Sequence, residues 1–304
     1  RRFMLNFKVP ELSDKQWADK CLKHAASMNC DYTFGNCYLW RLAYNTEICK
    51  YKNFFICRWG NGDDITYSLP LGEGDFTDAI CAMVENAKDC GHKLKIYGVT
   101  EGYWGMLQEA FTGKFDYTYD PGNFDYIYSV QKMASLSGKK YHSKRNHITN
   151  FKKNHPDWSF EIINKDNISQ CLEAHAKWIA SKDPEDEEDI SEYSLEFEAV
   201  AEAFENYDAL DLKGGLIKDG DEVIAFTLGE AQASGKCFVT HFEKAPGDVQ
   251  GAFAIINQEF TKNCLMDYEY VNREEDLNIE GLRKAKQSYY PEILLEKCLA
   301  VYHG

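Results

Sequence analysis

From residue 156 onward the apolar and polar positions switch between two periods in a clear order. Residues 158–163 (WSFEII) read as a strand, and Asp166 then caps a helix running to about Ser181 with Ile168, Cys171, Leu172 and Ile179 on its inner face. After an acidic stretch, Ser194 is placed to cap a second helix that turns Phe197, Val200, Ala201 and Phe204 inward. Runs at 212–218, 222–229 and 236–244, divided by Asp219-Gly220 and Ser234-Gly235, predict three antiparallel strands. A helix is expected over 249–265 with Phe253, Ile256 and Phe260 on one face, then a strand at 268–272, a helix at 279–288 and a last strand at 292–302.

The first half mixes the same periods less regularly. Ser13 is placed to cap a helix over 13–27, strands are expected near 47–58 and 64–70 about the Gly60-Asn61-Gly62 turn, and 75–90 reads as a helix stopped by Gly91. Residues 94–99 and 124–130 read as strands and 103–112 as a helix. Between the halves, residues 139–155 carry six Lys or Arg, three His and no acid. Tyr141, Ile148 and Phe151 fall near one helical face and Lys140, Lys144 and His147 on another, which predicts an amphipathic connecting helix. The expected division is therefore 1–135, a basic connector at 136–155, and 156–304.

Composition narrows the class. With 44% hydrophobic and 27% charged residues, the 304-residue chain is globular rather than disordered. No apolar run approaches the roughly 18 residues of a membrane span. The opening RRFMLNFKVPEL has neither a continuous apolar stretch nor a small-residue cleavage site, so no signal peptide is expected. Eleven scattered cysteines without a CxxC read as free thiols in a reducing, cytoplasmic setting, and no metal site is expected. A net charge of −15 opposes non-specific binding to nucleic acid and stable association with anionic membranes, leaving the 139–155 cluster as a local exception.

Four segments carry a family resemblance: DYTFGNCYLW (31–40), YHSKRNHITNFKK (141–153), HFEKAPGDVQGAFAIINQEF (241–260) and YVNREEDLNIEGLRKAKQSYYP (270–291). With the β-α-α-β-β-β-α-β-α-β order of the second half, they resemble the C-terminal domain family of phosphatidylglycerol lysyltransferase. The resemblance implies an α/β (α+β) fold of two tandem GCN5-related N-acetyltransferase-like (GNAT) domains, each a mixed, mostly antiparallel sheet flanked by helices, the first a degenerate copy. It implies aminoacyl or acyl transfer to an amine or hydroxyl, the acceptor being a small molecule or peptide. It also implies no tightly bound cofactor, with aminoacyl-tRNA or acyl-coenzyme A as co-substrate. Only the Gly251-Ala252 end of the acetyltransferase pyrophosphate loop is kept, which counts against acyl-coenzyme A, whereas Lys286-x-x-Tyr289-x-Pro291 fits the aminoacyltransferase side. The alternative is a non-catalytic tandem GNAT-like binding or regulatory protein.

Acyl transfer needs a deprotonated nucleophile and a stabilised oxyanion. On strand 236–244, His241 and Glu243 share a face, which nominates Glu243 as general base beside His241, against a plain salt bridge to Lys244. Lys140, Lys144, Arg145 and His147 would hold donor phosphates, or form a solvated face. Asn272, Arg273 and Glu275 follow a strand end, where ligands collect, while Asp276 or Asn278 could simply cap the next helix. Arg283 and Lys286 share a helical face suited to an anion, Tyr289 could protonate a leaving group, and Gly251 could open an anion-binding helix terminus. The acidic run Asp183–Asp189 would attract a cationic acceptor or remain a solvated loop.

Overall fold

In the computed structural model, which describes residues 5–182 and 187–304, each of two sheets borrows strands across the chain's midpoint. The strands are β1 (Glu47–Tyr51), β2 (Phe54–Trp59), β3 (Thr66–Tyr67), β4 (Leu71–Gly72), β5 (Lys95–Val99), β6 (Phe115–Tyr119) and β7 (Asp125–Ser129) in the first half. The second half adds β8 (Trp158–Ile162), β9 (Lys213–Asp219), β10 (Glu222–Ala231), β11 (Cys237–Lys244), β12 (Tyr270–Asn272), β13 (Ile293–Leu295) and β14 (Cys298–Tyr302). Among the described residues they form two seven-stranded sheets, one ordered β1-β2-β3-β5-β14-β6 with β4 beside β2, the other β13-β7-β12-β11-β10-β9-β8. The β3–β5 and β11–β12 pairs are parallel and the remaining pairs antiparallel, so both sheets are mixed and mostly antiparallel, as expected.

The exchange corrects the tail of the sequence reading. The stretch 292–302 is not one strand: β13 pairs with β7 in the second sheet, whereas β14 inserts between β5 and β6 in the first. Two residues, Glu296 and Lys297, carry the chain from one sheet to the other. Alternation along 292–302 reports two half-buried strands equally well whichever sheet each joins, so no local pattern marks the crossing.

The helices are α1 (Lys15–Leu22), α2 (Phe34–Leu39), α3 (Arg41–Tyr44), α4 (Phe76–Asp89), α5 (Glu101–Ala110), α6 (Val130–Ser135), α7 (His142–Asn154), α8 (Ile168–Ala180), α9 (Glu187–Glu205), α10 (Ala252–Cys264) and α11 (Glu280–Gln287). Asp75 caps α4 by accepting the Asp78 N–H, and Gly91 follows its end in a left-handed conformation, the latter as expected. Three expected caps are displaced. Ser13 lies within a short 3-10 turn ahead of α1, α8 follows Asn167 rather than Asp166, and Ser194 sits inside α9, where the preceding Glu-rich segment propagates the helix past a locally favourable cap. The acidic run 183–189 lies outside the residues whose side chains are described.

The apolar faces fill two cores. One lies under the first sheet and continues through α8 and α9 to Leu216, Phe226, Leu228 and Phe242 of the second sheet. The other, on the opposite face of the second sheet, is packed by α6, α7 and α10 through Ile148, Phe151, Ile256, Phe260 and Phe238. Thus α7, the basic connector, buries Ile148 and Phe151 and turns Lys144 and His147 toward the second sheet's open end.

Candidate functional site

The parallel pairing of β11 with β12 ends at Val239 opposite Asn272. Beyond that point β11 continues to Lys244 while the other chain turns away, and the opening between them is the base of a cavity of about 740 Å³. Ligands collect at diverging strand ends because backbone groups there have no ladder partner. The turn is forced by side chains. Asn272, fully buried, donates to Met28 O and Asp125 Oδ2 (both 2.8 Å) and accepts the Glu274 N–H at 2.7 Å. Glu274 takes φ +60, and Lys286 Nζ donates to the Arg273 and Glu275 carbonyls, the latter at 2.5 Å. Lys286 therefore closes the loop from beneath, its proton loosened by burial but held by two carbonyl dipoles.

Opposite stands the start of α10. Gly251 has φ +84, and a Cβ there would come within 2.5 Å of His147 O and 3.0 Å of Phe151 Cβ. Only glycine lets α7 and α10 approach this closely, which brings Lys144 and His147 to the cavity wall. Phe253 does not join Ile256 and Phe260 in the core as expected. It is 45% exposed and lines the cavity with Leu277 (61% exposed), because it stands in the first turn of α10, at the cavity's edge.

His241 is the extra residue of a β-bulge: Leu228 faces Phe242 and Gly229 faces Thr240. The bulge aims its ring between two carboxylates, with Nε2 2.8 Å from Glu230 Oε1 and Nδ1 2.9 Å from Glu274 Oε1. Burial alone would discharge the ring, but the two carboxylates outweigh it and raise its pKa to about 10. His241 is thus a fixed imidazolium with no lone pair at neutral pH. Glu243 accepts from Arg273 Nη2 at 2.6 Å and from Asn257 Nδ2 at 3.3 Å, so its ionic partner is Arg273, whereas Lys244 pairs with Glu196 at 2.5 Å. The Arg273 guanidinium lies 5.3 Å from the Tyr289 ring centre and the Lys144 ammonium 4.2 Å from it. Burial, with Arg273 second, lowers the Lys144 pKa, and burial pushes the Tyr289 hydroxyl up to about 12.

The cavity therefore gathers His241, Glu243, Tyr289, Lys144, His147, Arg273, Glu275, Lys286 and Gly251 of the sequence candidates. Four others lie elsewhere. Lys140 is exposed over the Tyr141 and Tyr290 rings, and Arg145 donates to the carbonyls of Leu136 and Gly138, tying the loop before α7. Asn272 shapes the turn from behind, and Arg283 forms a two-point ion pair with Asp276 at 2.7 and 2.9 Å. Asp276 also accepts the Asn278 N–H, but α11 itself follows Ile279 without a side-chain cap. The site residues the sequence reading passed over are Glu230 and Glu274. Glu274 adjoins the chosen Arg273 and Glu275, but nothing local singles out Glu230 inside an apolar strand.

Behind the cavity, Glu275 turns into a second ionic group. Lys297 Nζ lies 2.6 Å from Glu275 Oε1, 2.7 Å from Asp125 Oδ1 and 3.4 Å from Asp31 Oδ2, with Cys30 Sγ at 3.8 Å. Cys30, Asp31 and Glu275 bring donor atoms within 4.8 Å of one another, a spacing a metal could bridge, but the Lys297 ammonium already supplies the cation there. Burial, ahead of the opposing pull of Lys297, pushes the Glu275 carboxyl up to about 7.

Residues 23–301 match the family described as phosphatidylglycerol lysyltransferase, C-terminal. Among solved structures, a conserved protein of unknown function from Bacteroides thetaiotaomicron is 34% identical, with a TM-score of 0.91 over 99% of this chain and 100% of that one. The C-terminal domain of a putative lysylphosphatidylglycerol synthetase from Agrobacterium fabrum superposes with a TM-score of 0.68 at 15% identity, covering 96% of this chain and 92% of that one. L-PGS from Bacillus licheniformis gives 0.58 at 16% identity over 82% and 81%. The fold shared with these structures is that of two mixed, mostly antiparallel sheets flanked by helices. Among the described residues, no helix is long and apolar enough to cross a membrane.

Proposed function

The chain belongs to the phosphatidylglycerol lysyltransferase C-terminal family, and on that premise we propose that it transfers an aminoacyl group, delivered as an ester on charged tRNA, to an amine or hydroxyl acceptor in this cavity. Family and fold support a transferase of aminoacyl or acyl groups. The observation that carries the finer reading is that side chains of both signs, Lys144 and Arg273 together with Glu243 and Glu274, line one cavity.

An acceptor amine or hydroxyl attacks the ester carbonyl, and the resulting oxyanion expels the tRNA hydroxyl as the acceptor's proton is passed on. In this reading Glu243 takes the proton, released from Arg273 by the arriving ligand. Arg273 and Lys144 face the developing negative charge in a half-closed, low-dielectric setting, where such charges act strongly. His241 serves as a fixed cation holding Glu274 toward the cavity, not as a base. Tyr289, which keeps its proton, donates a hydrogen bond to the leaving oxygen. The eroded glycine loop favours tRNA over acyl-coenzyme A as donor.

The rival reading, a binding protein that keeps the cleft without the chemistry, draws on the saturation of His241 and Glu243 by ionic partners. Incubating the protein with tRNA charged with labelled amino acids, and separately with acyl-coenzyme A, tests both. Retention of charged over uncharged tRNA, with label released or transferred, is expected. Neither binding nor turnover with either donor would sink the proposal, and binding without turnover would favour the rival.

A further inference from the structure

Outside the cavity, Cys37 on α2 and Cys57 on β2 hold their sulfurs 3.4 Å apart. A disulfide needs roughly 2.05 Å, so the sulfurs must close by about 1.4 Å through side-chain rotation and a shift of one element. Because Cys57 lies inside a strand, the movement falls on α2, although its Phe34, Tyr38 and Leu39 are packed in the core. Cys57 is pinned within its sheet by exchange with Ser68, its N–H donating to Ser68 Oγ at 2.9 Å and its carbonyl accepting the Ser68 N–H at 2.8 Å. Helix α2 is short and touches the second sheet through Glu230: the N–H groups of Gly35 and Asn36 each donate to its carboxylate at 3.2 Å. A Cβ at Gly35 would fall 2.2 Å from Glu230 Oε1, so this contact tolerates little displacement. Glu230 in turn holds His241 Nε2 at 2.8 Å.

We propose that Cys37 and Cys57 form a reversible disulfide, and that closing it shifts α2 and loosens the Glu230–His241 bracket at the back of the cavity. The oxidant is a low-molecular-weight disulfide such as glutathione disulfide. Cys37, half-buried, attacks as its thiolate, forms a mixed disulfide and expels one glutathione thiolate. Cys57 then gives up its proton and attacks Cys37 Sγ, expelling the second; the two cysteines lose two electrons together and the glutathione disulfide is reduced to two thiols. The order follows from the surroundings, since the neighbouring Cys37 sulfur and then burial hold the Cys57 thiol well above its ordinary pKa. This chemistry stands whether or not the transferase reading does.

Treating the whole protein with excess glutathione disulfide and mapping its peptides by mass spectrometry tests the bond. Expected are linked Cys37 and Cys57 peptides, lighter by two hydrogens and separated by dithiothreitol. Cys57→Ser should instead trap glutathione on Cys37, and Cys37→Ser should leave Cys57 unmodified. Adducts confined to the exposed Cys81 and Cys90 would overturn the proposal, as would glutathione on Cys57 in the Cys37→Ser protein. The coupling is read by following the His241 ring by NMR, assigned with His241→Gln. Its titration should move down from about 10 in the linked protein and return on reduction, and an unmoved titration in fully linked protein would refute the coupling.

Discussion

Two buried ionic groups meet at Glu274 and Glu275, and they differ in one respect. The His241 group (Glu230, Glu274, with Glu243 and Arg273 beside it) faces a cavity; the Lys297 group (Asp31, Asp125, Glu275) is centred on a fully buried ammonium at the junction of the sheets. Both are dense in titratable side chains with displaced pKa values, but His241, Glu243, Arg273 and Glu274 all line the cavity, whereas of the Lys297 group only Glu275 does. Perturbed titration marks a site when it borders a cavity; enclosed, the same chemistry joins structural parts.

Removing Lys297 should break that contrast most forcefully. Lys297→Ala leaves three carboxylates without their shared cation, and a loss of about 3–5 kcal/mol is expected in urea unfolding, the range for breaking a buried pair. A loss below about 1 kcal/mol would mean the junction does not depend on it. Glu243→Gln should show the reverse profile. With transfer established, turnover should fall on the order of 100-fold, as for loss of a general base, while stability falls less than in Lys297→Ala because the amide still accepts from Arg273.

Titration sharpens the comparison. Folding raises the His241 pKa from 6.5 to about 10, so its stabilisation is complete below about 6.5 and is lost as pH rises to about 10. Folding also raises Glu275, from 4.5 to about 7, so its contribution is complete below 4.5 and lost as pH rises through 7. His241→Gln should flatten the upper descent and Glu275→Gln the lower in stability measured across pH. The smallest effect is expected from Lys144→Ala, with stability within about 0.5 kcal/mol of the parent and a several-fold weaker affinity for the anionic donor by titration. Unchanged affinity would remove Lys144 from the donor-binding residues.

Much of the site was legible because its members sit at strand ends, on a basic helix face or in segments that resemble a family. Lys144, Glu243 and Lys286, far apart in the chain, do line one cavity. Arg145 and Arg283 were misleading for the same reason: a cation on the right face can serve a ligand or its own loop, and only the Leu136 and Gly138 carbonyls and the Asp276 carboxylate decide. Glu230 was illegible, since its partners are backbone groups of α2 and a bulged histidine from another strand.

Hydrophobic periodicity by itself determined the helices of eight residues or longer, the meander and the mixed α/β class, because burying one face of an element is settled by neighbours three, four or two positions away. The exchange of β7 and β14 between sheets, the bulge that turns His241 to its carboxylates and the enclosure of Lys297 were decided only in three dimensions. Pairing partners and charge neutralisation depend on groups brought together from opposite ends of the chain, and no local pattern records them.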